Sequence, residues 1–284
     1  MMLIADSGST KTSWLIRNDN EPDQFLTTEG LNPVLIKGFD DFEQLMNIQL
    51  LPYLPKLPEV LHFYCTGYIN EEVNKQFVEY FHIFFKNTTI EIKSDLMAAA
   101  RALLHDQEGI ACILGTGSNC CYYNGEKIVQ NIPSLGYILG DLGSGVQMGK
   151  KLVHDYLKGF LPAELVVEFK QKYPYTLNEF LDKIYRQPYP NRFLAGFTPF
   201  LLSYKTHPYV KEVINTCFAS FLNESVSRLQ NAKGCPLNFV GSIGWHFREE
   251  LKQAIAELGY QSGNIIKEPI EQLLIYHTKK DGKQ

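Results

Sequence analysis

Short apolar runs with polar ends open the chain as three strand candidates, at residues 2–6, 12–16 and 24–28, each separated by turn residues. They predict an antiparallel three-stranded meander. The period then changes. Phe42, Leu45, Met46 and Gln49-Leu50 recur at helical spacing, residues 59–65 form an apolar run suited to a buried strand, residues 70–85 carry an amphipathic helical period, and residues 88–92 read as another strand. The order βββαβαβ makes this half an α/β unit. From Ile110 the same grammar begins again: an apolar run, a Gly-Ser turn, a second strand, and an Asn124-Gly125 hairpin turn into a third. Two βββαβαβα units account for the chain length.

Beyond Asp141 the pattern is largely helical, through Leu152-Val153-Tyr156-Leu157 and again through Val213-Phe218-Phe221-Leu222. The Pro- and aromatic-rich stretch 172–208 between them predicts a helical insertion closing the second domain, its rings serving packing rather than a ligand. A strand from Leu237 to Val240, a Gly241-Ser242 turn and a helix follow, and residues 269–277 predict a last helix.

Composition narrows the function classes. The 284 residues are 45% apolar and 20% charged, as in a soluble globular protein with one large or two ordinary domains. A formal charge of −4 leaves no basic footprint for nucleic acid. No apolar run approaches the roughly 18–20 residues that span a bilayer, and Asp6 interrupts the one apolar stretch near the N-terminus, so neither a membrane partner nor a signal peptide is expected. The expected location is cytoplasmic. Cys65, Cys112, Cys120, Cys121, Cys217 and Cys235 are dispersed without Cys-x-x-Cys spacing and read as reduced, buried thiols.

The stretch "LIADSGSTKTSWLI" (residues 3–16) has the look of a P-loop tail but departs from one. Thr10, not glycine, precedes Lys11, and a β-branched, aromatic run follows where a P-loop has a helix. It reads as strand, Gly-Ser turn, strand. A hairpin tip of this kind, at Gly8, Ser9 and Thr10, offers backbone N–H groups and hydroxyls to phosphates. Lys11 adds positive charge, and Asp6 can hold the Mg²⁺ that a polyphosphate brings, through water. A Gly-Ser turn alone needs only the turn to explain it. A second tip at Gly115, Thr116, Gly117 and Ser118, and a third Gly-Ser turn at Gly241-Ser242, favour the phosphate-binding reading.

The set Asp6-Ser7-Gly8-Ser9-Thr10-Lys11, Gly115-Thr116-Gly117-Ser118-Asn119, Gly140-Asp141-Leu142-Gly143-Ser144-Gly145 and Val240-Gly241-Ser242-Ile243 resembles the sugar-kinase, Hsp70 and actin superfold. Within it the match is to the N-acetylglucosamine kinase group and its BadF-type ATPase relatives, over nearly the whole chain. The resemblance implies an α/β fold of two ribonuclease-H-like, actin-like ATPase domains with ATP and sugar in the cleft between them. The domains expected are 1–94, completed by a C-terminal helix at 268–284, and 95–267, with the helical insertion. ATP and Mg²⁺ are the implied cofactors, a small-molecule sugar the partner, and a homodimer is consistent with the family.

Asp95 lies where the strand 90–93 gives way to the helix 97–104. One reading is a helix N-cap formed by Ser94 or Asp95. The resemblance, which puts an aspartate followed by small residues here, implies a base that takes the proton of the attacking sugar hydroxyl. It also points to Asn32, Thr66, Gly67, Asn119 and Asp141 for the sugar. Amides and carboxylates suit a polyhydroxyl ligand, although Asn32 before Pro33, Asn119 at its tip and Asp141 ahead of a helix each have a turn or capping alternative. Family members often carry a tryptophan shortly before the Gly-Asp-x-Gly-Ser loop, where this chain has Leu135. The expected reaction is phosphorylation of an amino sugar, N-acetylglucosamine to its 6-phosphate. The alternatives are a BadF-type ATPase that activates a CoA-ester dehydratase or reductase, and a non-catalytic sugar sensor.

Overall fold

The structure is a computed structural model that describes residues 1–8, 11–19, 21–33, 36, 38–67 and 71–281. The chain forms two compact units, Met1–Asp106 with Glu268–Gln284, and Gln107–Lys267.

The first unit is built on a five-stranded sheet of order β3-β2-β1-β4-β5. Strands β1 (Met2–Ser7), β2 (Lys11–Arg17) and β3 (Gln24–Glu29) form the antiparallel meander, while β4 (Val60–Cys65) and β5 (Thr89–Ser94) lie parallel to β1. Trp14 and Phe63 point from the sheet into an aromatic core with Phe42 of α1 (Phe39–Leu45), Phe77 and Phe81 of α2 (Glu71–Phe84), and Phe85. Helix α3 (Asp95–Leu104) packs on β1, β4 and β5 and against the C-terminal helix Ile270–Asp281, which also lies on β1 and β2. The sequence pattern gave 95–104 to the second domain. The structure groups it with the first, because β5 runs straight into it and it packs on β1, β4, β5 and the C-terminal helix.

The second unit repeats this plan. Strands β6 (Glu108–Leu114), β7 (Ser118–Asn124) and β8 (Ile128–Ile132) are antiparallel, and β9 (Leu237–Val240) and β10 (Ser262–Ile266) add parallel to β6, giving the order β10-β9-β6-β7-β8. Read from the meander inward, the two sheets are the same. Between β8 and β9 come α4 (Gly136–Leu139), α5 (Gly145–Lys158), α6 (Ala163–Lys172), α7 (Leu177–Tyr185), α8 (Pro190–Ala195), α9 (Thr198–Ser203) and α10 (Pro208–Glu224). Phe169, Phe180, Phe197 and Phe200 from this stretch are fully buried and touch one another ring to ring, as packing residues do. Helices α11 (Ser242–His246) and α12 (Arg248–Glu257) separate β9 from β10, and the last helix, Ile270–Asp281, is α13. Cys120 and Cys121 point to opposite faces of β7 and both are buried, as are all six cysteines. No helix among the described residues is long and apolar enough to cross a membrane.

A polar cluster pins α13 and α3 to β4 and β5. The Arg101 guanidinium forks onto Glu91, with Nη1 3.0 Å from Oε2 and Nη2 3.1 Å from Oε1, and Nη1 also donates to the Tyr64 hydroxyl at 2.7 Å. The Tyr64 hydroxyl also hydrogen-bonds with His277 Nε2, 2.8 Å away on α13. His62 Nδ1 lies 2.9 Å from Glu91 Oε2. One ligand atom each from His62, Glu91 and His277 falls within 4.8 Å of the others. The two imidazoles are stacked, however, with centroids 3.5 Å apart and planes 17° from parallel. Their in-plane lone pairs run side by side, so they do not converge on a metal bound at about 2.0–2.1 Å. The cluster is a clasp between helices and sheet.

Burial alone would raise the Glu91 carboxyl, but the hydrogen bonds from His62 and Arg101 and the Arg101 charge outweigh it and hold Glu91 well below the ordinary 4.5. A folded-state value depressed in this way stabilises the fold above about pH 4.5 and is lost as pH falls below it. In thermal melts Glu91→Gln is expected to cost about 2 kcal/mol near neutral pH, with the gap from the wild type closing toward pH 3. Gly241, at the end of β9, has φ +129, and a Cβ there would stand 2.3 Å from the Leu114 carbonyl oxygen. Backbone cannot move aside as a flexible side chain does. Gly241→Ala is expected to lower unfolding stability by about 2 kcal/mol or more, readable in urea titrations.

Candidate functional site

In the first unit the site follows from strand pairing. The parallel register sets Ser7 of β1 beside Cys65 of β4, and Cys65 beside Ser94 of β5, so the residues that follow emerge together at the carboxyl ends of three adjacent strands. Ligands of open α/β sheets bind at such ends. The Thr66 N–H continues the ladder onto the Ser7 carbonyl at 2.9 Å. Ser94 proves to be the N-cap of α3, its hydroxyl accepting from the Met97 N–H at 3.2 Å. That leaves the Asp95 side chain out of the capping role. Its carboxylate accepts instead from the Leu96 N–H and the Thr66 hydroxyl.

Electrostatics shows how closely the acids gather. Asp6 and Asp95 are half-buried, each with some solvent contact. Burial pushes Asp95 up to about 6, against the pull of its two donors. Asp6 rises to about 7, through burial first, then the charges of Asp95 and Glu268, with Lys11 acting in the opposite sense. Cys65, buried between the strands, is raised to about 12 by burial and by both aspartates. The two aspartates at adjacent strand ends could hold a divalent cation between them.

The hairpin tip closes through the Gly8 N–H and the Lys11 carbonyl at 2.9 Å, while Ser9 and Thr10 lie outside the described residues. Lys11 Nζ pairs with Glu268 Oε1 at 2.8 Å. Beneath the tip, the buried Ser7 and Thr12 hydroxyls meet at 2.7 Å, and Ser7 Oγ bonds both the N–H and the carbonyl of Leu31 at 3.0 Å. This knot ties the segment after β3 to the end of β1 and delivers the buried Asn32, whose carbonyl accepts from the Ile36 N–H. Gly67 follows Thr66 with φ +78, a turn conformation that suits glycine.

In the second unit the glycine motifs meet at the matching strand ends. Gly115 follows β6, and Gly241 follows β9 against it, donating its N–H to the Ile266 carbonyl at 3.1 Å. Gly115 accepts from the Gly145 N–H, and Thr116 from the Val146 N–H, so the tip is fixed to the start of α5. Nothing lies within 4 Å of where a Gly115 Cβ would stand, and Thr116 and Ser242 are exposed. Open glycine backbone beside exposed hydroxyls fits a phosphate chain.

Asp141 is buried with φ +54, and its Oδ1 accepts from the Ser118 N–H at 3.1 Å and the Ser134 hydroxyl at 3.2 Å. A Cβ on Gly117 would fall 2.8 Å from that oxygen, so glycine is required for the carboxylate to approach. Burial raises the Asp141 carboxyl, partly offset by Ser118, Ser134 and Lys150. Ser144, not Asp141, caps α5. Asn119 Oδ1 accepts from its neighbouring Cys120 N–H and from Asn131 Nδ2 at 2.8 Å. Sequence reasoning missed Ser7, Thr12 and Glu268, whose partners lie across strands or far along the chain, and Ser134, which reaches Asp141 seven residues on.

No family model matches the chain, and no curated protein does. Among solved structures, one from Porphyromonas gingivalis, provisionally named an N-acetylglucosamine kinase, is 37% identical with a TM-score of 0.91, and the alignment covers 98% of each chain. A second, from Chromobacterium violaceum and provisionally named in the same way, has a TM-score of 0.72 at 16% identity over 97% of this chain and 98% of the other, a likeness of fold. With the repeated ribonuclease-H-like sheets and a full-length relative at that identity, the chain belongs to the N-acetylglucosamine kinase family of the sugar-kinase, Hsp70 and actin superfold.

Proposed function

We propose that this protein transfers the γ-phosphoryl group of ATP to a hydroxyl of an amino sugar, with N-acetylglucosamine, the sugar in its relatives' names, as the substrate and its 6-hydroxyl as the acceptor. The observation that carries the reading is the Asp95 carboxyl: freed from capping by Ser94, oriented by Thr66 and Leu96, and poised at about 6. Phosphoryl transfer needs a positioned acceptor and neutralised charge more than covalent help. In this assignment Asp95 accepts the proton of the attacking sugar hydroxyl, while Thr66 holds the carboxylate's direction. Gly8, Ser9, Thr10, Lys11, Gly115, Thr116, Gly117, Ser118, Gly241 and Ser242 receive the nucleotide phosphates. Asn32, Gly67, Asn119 and Asp141 bind sugar hydroxyls, together with Thr66. Asp6 would hold Mg²⁺, through water, and the ion would neutralise charge on the phosphates.

The assignment is tested by ADP release from Mg-ATP against N-acetylglucosamine, glucosamine, N-acetylmannosamine, glucose and no sugar. Sugar-dependent release that Asp95→Asn lowers by roughly 10²- to 10⁴-fold at an unchanged melting temperature is the expected result. Release that is equal without sugar would instead favour the ATPase-activator reading. The pH dependence has a definite sign. Only ionised Asp95 can accept a proton, so kcat should climb as pH rises through about 6 and then level. Asp6 titrates near 7 once Asp95 carries its charge, and Mg²⁺ competes with that proton. Half-saturating Mg²⁺ should therefore fall as pH is raised from about 6 to 8, a trend that Asp6→Asn abolishes.

A further inference from the structure

Glu268 stands outside these roles. It is the residue at which the chain re-enters the first unit, after β10 and two positions before α13. Its carboxylate holds the Lys11 ammonium at 2.8 Å across 257 positions of sequence. Lys11 is fixed at its backbone by the Gly8 hydrogen bond, but its side chain is about half exposed, 53%, with 42% for Glu268. An ion pair so placed is weak, because water solvates both partners well. The lysine ammonium is a compact charge on a flexible stem, able to turn from one anion to another without backbone movement. A polyphosphate, with more charge and more acceptor oxygens than a carboxylate, is the stronger partner for it.

We propose that Glu268 is an internal stand-in for the nucleotide phosphate: it holds Lys11 while no nucleotide is bound and yields it to ATP, so that two anions compete for one ammonium. The inference rests on the reading above that Lys11 faces the ATP phosphates. Glu268 is then a positioning residue that sets nucleotide affinity through Lys11 without touching the sugar. The opposite arrangement, in which Glu268 braces Lys11 toward the phosphates, makes the opposite prediction for affinity.

The experiment is the ATP dissociation constant, with KM and kcat alongside, for wild type, Glu268→Gln, Lys11→Gln and the double variant at one ionic strength. Removing the competing carboxylate should tighten ATP about two- to fivefold, the range of an exposed ion pair, and lower the KM for ATP with kcat little changed. Lys11→Gln should weaken ATP, and in that background Glu268→Gln should have no effect, the mark of a pair acting as a unit. Unchanged or weaker ATP binding in Glu268→Gln overturns the proposal. So does a tightening that persists without Lys11, since it would then reflect a lost negative charge and no exchange. If Lys11→Gln itself leaves ATP binding intact, the phosphate role of Lys11 fails first and the proposal falls with it, a pattern distinct from the other two.

Discussion

Parallel pairing of β1, β4 and β5 is the constraint on which the rest of the first unit depends. It makes Ser7, Cys65 and Ser94 neighbours in one row, and Asp6, Thr66 and Asp95 each lie one residue from that row. A strand has a strict two-residue alternation of faces, so a slip of one residue in β5 would turn Asp95 away from Asp6 and Thr66. The buried aromatic core on one face and the Arg101–Glu91–Tyr64–His277 clasp beside α3 and α13 both specify that register. Chemistry at the strand ends is thus secured by packing elsewhere.

The same placement carries an energetic cost. Asp6 and Asp95 would each be more comfortable in water: burial raises both, and the Asp95 charge raises Asp6 further. The cost is unequal, and the inequality is useful. Near neutral pH Asp95, raised to about 6 and held by two donors, is mostly ionised, whereas Asp6, raised to about 7, still carries its proton on about half of the molecules. Local stability is given up at the place where a ligand with opposite charge can restore it.

Much of this was legible in the sequence. The glycine-hydroxyl turns at Gly115–Ser118 and Gly241-Ser242, the strand at Leu237–Val240 and Asp95 at the start of its helix are local signals, written largely in turn residues, and each lies where its pattern put it. Non-local features were not legible. Strand β10, Ser-Gly-Asn-Ile-Ile, is a sheet edge with a register shift between Ser262 and Ile265, so it lacks the clean alternation that marks a half-buried strand. Helix α3 belongs to the first unit partly because α13 returns to pack on it, and nothing near residue 95 announces that. Ser94 and Asp95 were equally eligible as caps until the hydroxyl geometry separated them.

Asp141 shows why residue type alone leaves roles open. A carboxylate in a Gly-Asp-x-Gly-Ser loop suits a sugar hydroxyl, yet here Oδ1 already holds the Ser118 N–H and the Ser134 hydroxyl. The two functions do not exclude each other, because an ionised carboxylate offers about four acceptor positions on two oxygens. Fixing one oxygen to the tip backbone sets the direction of the other, much as Thr66 and Leu96 set Asp95. The left-handed backbone at Asp141, uncommon for a residue with a side chain, and the glycine that position 117 requires are then parts of one device. The loop assigned to the phosphates and the acid assigned to the sugar are held in a single geometry, so a change in either is felt by both.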